Sequence, residues 1–294
     1  MARFFFTWLA GLVVIVAFCV NCLGQLPDGK LHIYFLDIGQ GDAVLLVTPG
    51  GNRILIDVGP PGVIAEPLRR AIGWVNDRID LMVLTQYDQD HAGGALTLID
   101  QFDVRQTMVL GLQQGTAMQK AIMKKIGEKN APIWIAYSAT DFWLDRDVLM
   151  DVLWPEVSLA GKYVPKVNES SLVSRILLGG RAVLLDTADI GFSSEKKLLD
   201  SGVDLHAEIL KVGHHGSRFS SSADFLRAVH PKYSGIGVGS KNRYGHPTAE
   251  TLERLTDVGS KIFRTDQMGT IEMVVDPTSG RVKRVKEEKG EQNL

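Results

Sequence analysis

Short apolar runs separated by glycines dominate the first half of the chain, and each run has the length of a strand rather than of a helix. Strands are predicted at 32–38, 43–47, 53–58, 81–84, 108–110 and 133–136. Two segments, 64–75 and 117–126, place their apolar residues at helical spacing, and a further helix is expected at 93–99. The pattern predicts hairpins first and strand-helix units afterwards.

The second half follows the same order of elements, although its sequence does not repeat the first half. Strands are predicted at 148–153, 172–178, 182–185, 208–212, 235–238 and 270–275, and helices at 195–199, 223–229 and 248–255. This double succession predicts an α/β fold of the four-layer α+β kind, in which two mixed β-sheets pack face to face with helices outside. No linker divides the halves, so residues 28–280 are predicted to form one domain. Residues 281–294 are charged and lack apolar periodicity, which predicts a disordered tail.

The first 24 residues differ from the rest. Arg3 precedes an apolar stretch from Phe4 to Val20, which is typical of a signal peptide or a membrane anchor. Small residues at Cys22 and Gly24 favour cleavage before Gln25. We therefore expect an exported protein that is periplasmic or extracellular, or that stays anchored in the membrane through this segment and faces outward.

Composition narrows the chemistry. Both cysteines of the chain lie in this leader, so the remainder has no disulfide and no thiolate ligand. Hydrophobic content of 45% is enough for a sizeable core. The net charge of -2 does not indicate a dedicated nucleic-acid binder, although a local basic patch would be enough for one.

Acidic and imidazole side chains follow three predicted strands. Asp90 and His91 come after the apolar run 81–84, and a turn there would let both reach one ion; the alternative is an Asp that caps the next helix. Asp189 follows the strand at 182–185 and is preferred over Asp186 as a ligand, against the alternative of a solvated turn. The tandem pair His214 and His215 follows the strand at 208–212, and histidine is scarce in this chain.

Asp and His at three strand ends predict a shared metal site that holds one or two zinc ions, with manganese as the alternative. A bound metal makes hydroxide available at neutral pH, which indicates a hydrolase. The chain has no serine-nucleophile motif and no lysine-containing phosphate loop. His246 precedes a predicted helix and either contacts substrate or caps that helix. Cations in the late loops, with His246, are candidates for binding an anionic substrate, against the alternative of solvated surface: Lys211, Arg218, Lys241 and Arg243.

Six ordered motifs carry a family resemblance. Residues 35–43 read F-L-D-I-G-Q-G-D-A and resemble the D-V-G-Q-G-D opening of the ComEC-type metallo-β-lactamase domain, which ends the membrane channel for DNA uptake in competent bacteria. The other matching segments are 54–59, 168–173, 187–189, 211–217 and 242–247. The resemblance covers residues 31–275. The channel helices have no counterpart in the sequence, so we expect a stand-alone, exported relative.

The resemblance implies a metal site at one edge of an αβ/βα sandwich. It assigns Asp90, His91, Asp189 and one of His214 and His215 to the metal, with His214 preferred, and Asp88 to a first metal position. Asp90, Asp189 and His246 are the predicted catalytic residues. Supporting roles fall to Asp37, Gln40, Asp42, Asp57 and Gln86.

Two positions depart from the family signature His-x-His-x-Asp-His, which residues 86–91 resemble. Gln86 and Asp88 replace its first two histidines, and a neutral amide is a weak zinc ligand. We therefore expect one firm metal position and one weak position. The main hypothesis is a phosphodiesterase with nucleic acid as the leading substrate. The alternatives are a hydrolase of phosphocholine esters, lactones or lactams at the same site, and a metal-binding or ligand-binding module with weakened catalysis.

Overall fold

The computed structural model describes residue 12 and residues 26–138, 140–288 and 290–293. The predicted leader, apart from residue 12, lies outside the described residues. Among the residues described, no helix combines the length and the apolar character needed to cross a membrane.

Two large sheets and a two-stranded one contain the strands of the described chain. The strands are β1 Leu31–Phe35, β2 Val44–Val47, β3 Arg53–Ile56, β4 Arg78–Ile79, β5 Leu81–Leu84, β6 Asp103–Val104, β7 Thr107–Val109, β8 Ile133–Ile135, β9 Asp141–Asp145, β10 Val148–Trp154, β11 Val173–Leu178, β12 Arg181–Asp186, β13 Ile209–Lys211, β14 Tyr233–Ile236, β15 Lys261–Arg264, β16 Ile271–Val275, β17 Val282–Glu287 and β18 Gly290–Asn293. The α-helices are α1 Ala65–Ile72, α2 Gln89–Ala92, α3 Ala95–Gln101, α4 Ala117–Glu128, α5 Phe192–Ser201, α6 Ala223–Val229, α7 Ala249–Asp257 and α8 Thr265–Met268.

The first sheet has the order β18-β17-β16-β1-β2-β3-β5-β7-β8, and the second has the order β15-β14-β13-β12-β11-β10-β9. In the first sheet β3, β5, β7 and β8 run parallel, and in the second β12 to β15 run parallel. Parallel strands bring their carboxyl ends to one edge of a sheet. The loops after β3, β5, β12, β13 and β14 therefore gather at one edge of the molecule.

Apolar residues from both sheets share one core. Ile33 and Ile176 belong to it, as does Ile209, whereas the neighbouring Leu210 packs with residues of α5, α6 and α7. Alternation along a strand thus sends one residue toward the other sheet and the next toward the helices. The predicted fold class, two mixed sheets face to face with helices outside, is confirmed.

Gly235 allows the close approach of the two sheets at the end of β1. A Cβ atom at Gly235 would lie 2.3 Å from the ring of Phe35, so no larger residue fits between β14 and β1. Because Phe35 ends β1, this contact fixes the loop that follows β1 against the end of β14.

Residues 281–294 were predicted to be a disordered tail, but part of this segment forms a strand. Val282–Glu287 forms β17, which pairs antiparallel with β16, and Val282 and Val285 are buried. The pairing with β16 shifts register between Val274 and Val275. The buried residues Val282 and Val285 are therefore three positions apart rather than two. Simple alternation therefore does not reveal the strand in the sequence.

Candidate metal centre

Four buried residues from four segments form a compact group. They are Asp42, His91, Asp189 and His215, and each offers a ligand atom within 4.8 Å of those of the other three. Asp42 lies in the loop after β1, and His91 lies on α2, whereas Asp189 and His215 follow β12 and β13. The parallel strand ends bring these segments together, as the topology requires.

The loop that carries Asp42 is held against α2 by backbone contacts. The Asp42 amide donates to the carbonyl of Asp90 at 3.0 Å, and a Cβ atom at Gly41 would lie 2.4 Å from that same carbonyl oxygen. Two predicted support residues stabilise the loop. Asp37 accepts from the amide of Gly39 at 3.2 Å, and Gln40 Oε1 accepts from the amide of Gly239 at 3.2 Å.

His91 is held between two carboxylates. Its Nδ1 lies 2.7 Å from Asp57 Oδ2, and its Nε2 lies 2.9 Å from Asp189 Oδ2. Asp57 also accepts from the amide of Thr85 at 2.9 Å and from its hydroxyl at 2.6 Å. These bonds fix the carboxylate that orients the ring, so Asp57 has the position of a supporting residue, and Thr85, which the sequence reasoning did not include, is part of the same support.

His215 is oriented in the same way as His91. Its Nδ1 lies 2.9 Å from the carbonyl oxygen of Gly237, which can only accept, so Nδ1 carries a proton. Its Nε2 lies 3.2 Å from Asp90 Oδ2 and 3.8 Å from Asp189 Oδ1. Both imidazoles therefore turn their Nε2 atoms toward Asp189, with fixed acceptors behind their Nδ1 atoms. Metal-ligating histidines adopt this arrangement.

The structure places His215, and not the preferred His214, in the group of four. Both residues have left-handed backbones, with φ of 49° and 53°, so their side chains leave a tight turn in different directions. The ring of His214 lies 5.6 Å from that of His246, outside the group. No feature of the sequence distinguishes two adjacent histidines in such a turn.

Asp42 and Lys211 form a buried ion pair behind the histidines. The ammonium of Lys211 pairs with Asp42 Oδ2, donates to the carbonyl of Ala188 at 2.6 Å and lies 4.0 Å from Asp189 Oδ1. Lys211 is only 1% exposed. The predicted substrate-binding role of Lys211 is therefore wrong, because its charge is already paired and inaccessible from solvent. Lys211 is the last residue of β13, and its side chain points into the protein.

Gln86 and Asp88 do not complete a second metal position. Gln86 Nε2 donates to Asp189 Oδ2 at 3.1 Å, and its Oε1 is buried without a hydrogen-bond partner. Asp88 lies outside the group of four and lines a cleft of about 390 Å³ with Tyr87 and Tyr163. Asp90 lies beside the group through its contact with His215, with a third of its side chain exposed.

His246 lies beyond His214 in a series of aromatic rings. It stacks on Tyr244 with 5.8 Å between ring centroids, and its Nδ1 is buried without a hydrogen-bond partner. Burial and the nearby histidines His214 and His215 lower its pKa to about 4, so its ring is neutral at neutral pH. Three predicted substrate-binding cations, Arg218, Lys241 and Arg243, are exposed in the same late loops.

The electrostatics of the group favour bound positive charge. Burial opposes ionisation of His91, but Asp189 and Asp57 raise its pKa well above its usual value. Burial likewise opposes charge on His215, yet Asp42 and Asp189 raise its pKa to about 10. Despite its own burial, the pKa of Asp189 lies well below its usual value because of these two histidines. The carboxylates thus draw protons onto both rings.

These residues fit a divalent cation. Asp189 Oδ1 is buried and has no hydrogen-bond partner, which is the situation of an oxygen that needs a cation. Four carboxylates, those of Asp42, Asp57, Asp90 and Asp189, face a single ammonium at Lys211. Asp189, His91 and His215, with Asp90 at the rim, offer the oxygen and nitrogen donors that zinc accepts.

Comparison with known proteins agrees with this geometry. Residues 36–234 match the family model described as the metallo-beta-lactamase superfamily, and the match includes every member of the group of four. The chain belongs to the metallo-β-lactamase superfamily, a family of metallo-hydrolases.

Its relatives place it more narrowly. ComE operon protein 3 of Bacillus subtilis (strain 168) is 30% identical over 278 residues, which cover 88% of this chain and 34% of that protein. Competence protein ComA of Neisseria gonorrhoeae is 29% identical over 248 residues, which cover 84% of this chain and 32% of that protein. The chain thus spans about a third of the length of these relatives. They confirm the resemblance to a ComEC-type domain.

A solved structure confirms the fold independently. Igni18, a metallo hydrolase from the hyperthermophilic archaeon Ignicoccus hospitalis KIN4/I, superposes with a TM-score of 0.53 at 15% identity, and the alignment covers 82% of this chain and 98% of that one.

Proposed function

We propose that this protein is a metal-dependent hydrolase that cleaves phosphodiester bonds, with nucleic acid as its leading substrate. The observation that carries the proposal is the common orientation of His91 and His215. Both rings present Nε2 to Asp189, whose Oδ1 has no hydrogen-bond partner. The relatives that are named for competence and for the ComE operon support the substrate class.

Asp189, His91 and His215 would hold the cation, which we propose to be zinc, with manganese as the alternative. When bound, such an ion lowers the pKa of a water molecule and polarises a phosphoryl oxygen. Asp57 and the Gly237 carbonyl keep both rings in the tautomer with a free Nε2. Lys211 balances Asp42, so the charges of Asp189 and Asp90 stay available to the cation.

The rim supplies the contacts for an anionic substrate. His246 is neutral and would approach the phosphate as a hydrogen-bonding group rather than as a charge. Arg218 and Arg243 are exposed and would attract the phosphate backbone. Asp90 is partly exposed and fixed by His215, so it can orient the attacking water or accept its proton.

Metal analysis combined with turnover of a chromogenic phosphodiester tests the proposal. We expect about one equivalent of metal per chain, because Gln86 does not complete a second position. Asp189→Asn should lose both metal and turnover. Asp186→Asn is the matched control, since Asp186 is the last residue of the same strand but accepts from the amide of Ala188 and lies outside the group of four.

The rival functions give different results in the same assay. Bound metal with turnover of a lactone, a lactam or a phosphocholine ester, and none of a phosphodiester, would establish the other hydrolase. A chain that retains no metal and turns over none of these substrates would be a binding module. Either result overturns the phosphodiesterase.

We also propose that the domain acts outside the cytoplasm, because the apolar stretch from Phe4 to Val20 is typical of an export signal or an anchor. The mass of the protein isolated from its native cell distinguishes the two forms. Cleavage before Gln25 indicates a signal peptide, and an intact Met1 in the membrane fraction indicates an anchor. An intact Met1 in the cytoplasmic fraction would contradict export.

A further inference from the structure

The end of the molecule opposite the metal group has an exposed apolar surface. The metal group lies where the parallel strands end, and this surface lies where the parallel strands of the first sheet begin. Its large apolar side chains are between 39% and 65% exposed: Leu26, Trp74, Val75, Ile133, Trp134 and Trp143. These six residues form what we call the amino-end surface.

The beginning of the described domain and the end of β9 meet at the turn between β2 and β3. Pro27 packs on this turn, since a Cβ atom at Gly51 would lie 2.7 Å from its Cγ. The amide of Gly50 in the same turn donates to Asp145 Oδ2 at 2.7 Å. Asp145 ends β9, and Trp143 lies two residues before it. The chain therefore enters the domain close to an exposed tryptophan.

Trp74 and Val75 lie at the same end of the first sheet. They follow α1, whose last turn lines one cleft together with Leu26. The connection that contains them leads to β5 and is tied to the first residue of β3. The Arg53 amide donates to Asp80 Oδ2 at 2.9 Å, and the Asp80 amide donates to the Arg53 carbonyl at 2.8 Å.

Trp134 extends the surface to the edge of the first sheet. Its Nε1 donates to Gln106 Oε1 at 3.0 Å, and Gln106 directly precedes β7. Its ring packs edge-on against Phe142 of β9, with 5.2 Å between the centroids. Neighbouring strands lie about 4.8 Å apart, so the row of strand starts from β3 to β8 is about 15 Å long. The exposed apolar residues therefore follow one row of strand ends.

The residue types on this surface indicate what it contacts. All three exposed tryptophans of the described residues belong to it, namely Trp74, Trp134 and Trp143. The exposed aromatic residues of the loops near the metal group are tyrosines and phenylalanines, such as Tyr163 and Phe219. Tryptophan is enriched where a membrane meets water, because its ring is apolar and its N–H group can bond in the headgroup region.

The leader limits which part of the domain can meet a bilayer. From Val20, the last residue of the apolar stretch, to Leu26 there are 26 minus 20, or six, residue steps, which span at most about 20 Å. A domain of this length is about 45 Å across. A bilayer that holds the apolar stretch can therefore contact the end that carries Leu26, whereas the metal group stays beyond the reach of the tether.

Charge contributes little to this surface. Three cations near it each pair with a neighbouring acid: Arg78 with Asp80, Arg105 with Asp103, and Lys30 with Asp28. Pairing of this kind weakens electrostatic attraction to anionic lipids, so apolar insertion at the level of neutral headgroups is the favoured mode of contact.

We propose that the amino-end surface lies on a phospholipid bilayer, with Trp74 and Trp143 at the level of the headgroups. The metal group then faces away from the membrane and opens to the aqueous phase. This orientation rests on the anchored form of the leader and does not depend on the hydrolase activity.

Two labelled variants of the full chain test the orientation in phosphatidylcholine vesicles. Val75→Cys and Val157→Cys each receive a nitrobenzoxadiazole label, in a chain whose two natural cysteines are replaced by serine. The positions are matched, because these valines are 56% and 60% exposed and lie at opposite ends of the domain. Val157 follows Glu156, whose carbonyl accepts from the Ser138 hydroxyl beyond the end of β8.

Phosphatidylcholine that carries a nitroxide near its headgroup quenches a label that touches the membrane. We expect it to reduce the fluorescence at position 75 by about twofold or more and to leave position 157 nearly unchanged. Trp74→Ser combined with Trp143→Ser should lower the quenching at position 75. Phe219→Ser, at an equally exposed aromatic residue of the opposite end, is the control and should not lower it.

Flotation of the vesicles separates the anchor from the orientation. A full chain that does not float with the vesicles would overturn both. A chain that floats but is quenched equally at the two positions, or more strongly at position 157, would overturn the orientation alone. Shielding of the label at position 75 that increases with protein concentration in detergent solution, without quenching in vesicles, would assign the surface to a second copy of the chain and also overturn it.

Discussion

Asp57 Oδ2 lies 2.7 Å from Nδ1 of His91, and Asp57 has a backbone conformation that few residues adopt. Its φ is 57°, in the left-handed region, and it directly follows β3. Aspartate and asparagine tolerate this conformation better than other non-glycine residues. The position therefore selects a residue type that can both turn the chain and orient the imidazole.

Replacing Asp57 by asparagine tests this support. Asparagine accepts the same backbone conformation but removes the charge that keeps His91 in its tautomer. We expect Asp57→Asn to fold and to bind zinc about 10–100 times more weakly. Titration with a metal indicator measures the change. The control is Asp266→Asn, since Asp266 lies on α8 and its carboxylate pairs with Arg264 of β15. Unchanged zinc affinity in Asp57→Asn would mean that Asp57 does not support the metal.

Metal affinity should rise with pH. The metal-free protein holds protons on His91 and His215, because their carboxylate neighbours raise both pKa values, to about 10 for His215. A cation must displace these protons to reach the Nε2 atoms. For each proton that the metal must displace, the apparent affinity rises by about tenfold per pH unit below the pKa of that ring, so His215 alone predicts an increase of about 100-fold between about pH 6 and 8, and His91 adds to it. Competition with a chelator at several pH values measures it, and a flat profile would show that protons and metal do not compete.

Replacing Ala188 by glycine should increase the free energy of unfolding of the protein. The φ of Ala188 is 43°, a conformation that costs an alanine about 1–2 kcal/mol and costs glycine little. Glycine loses more backbone entropy on folding, by about 0.4–1 kcal/mol, so the middle of the two ranges leaves a net stabilisation of about 0.8 kcal/mol for Ala188→Gly.

Urea unfolding measures the effect. Ala121→Gly is the matched control, since Ala121 lies on the exposed side of α4 and its replacement should cost about 1 kcal/mol. Destabilisation by both variants would show that the left-handed backbone at Ala188 carries no strain.

His32 should stabilise the fold in a limited pH range. Burial opposes its charge, but hydrogen bonds to Glu272 and Asp28 raise its pKa, so its contribution is complete below about pH 6.5 and is lost as the pH rises through the folded value. The pKa of Glu272 is lowered to about 2, so its contribution is present above about pH 4.3 and is lost as the pH falls toward about 2. Wild type should therefore exceed His32→Gln most between about pH 4.3 and 6.5, by about 1–2 kcal/mol in free energy of unfolding.

Denaturant unfolding across this range provides the measurement. His206→Gln, at an exposed histidine, is the control and should change little at any pH. A difference between wild type and His32→Gln that persists unchanged at pH 9 would show that packing, not the charged pair, accounts for it.

Strand ends could be predicted from the sequence because apolar runs and glycines mark them directly. Asp90, Asp189 and the His214-His215 pair were located in this way, and the structure brings Asp189 and His215 into one group with His91. Which of two adjacent histidines faces inward depends on two left-handed φ angles, and residue type does not encode these.

Lys211 shows a different limit of sequence reasoning. A lysine before a glycine-histidine turn has the composition of an anion-binding loop, but it lies on the last position of β13, where alternation sends it inward to Asp42. Its partner is 169 positions earlier in the chain, from 211 minus 42, so no local pattern connects the two. The edge strands β9 and β15 are not predicted, because each is only five or four residues long and has a charged residue at both ends.

The spread of the group of four along the chain has a consequence for biosynthesis. Its members extend from Asp42 to His215 and lie on segments from both sheets. A ribosome adds residues from the amino terminus, so a nascent chain has only part of the ligand set until residue 215 has emerged and the second sheet has docked. Loading with metal is then a late event, and the ion that the protein acquires is set by the compartment in which the chain completes its fold.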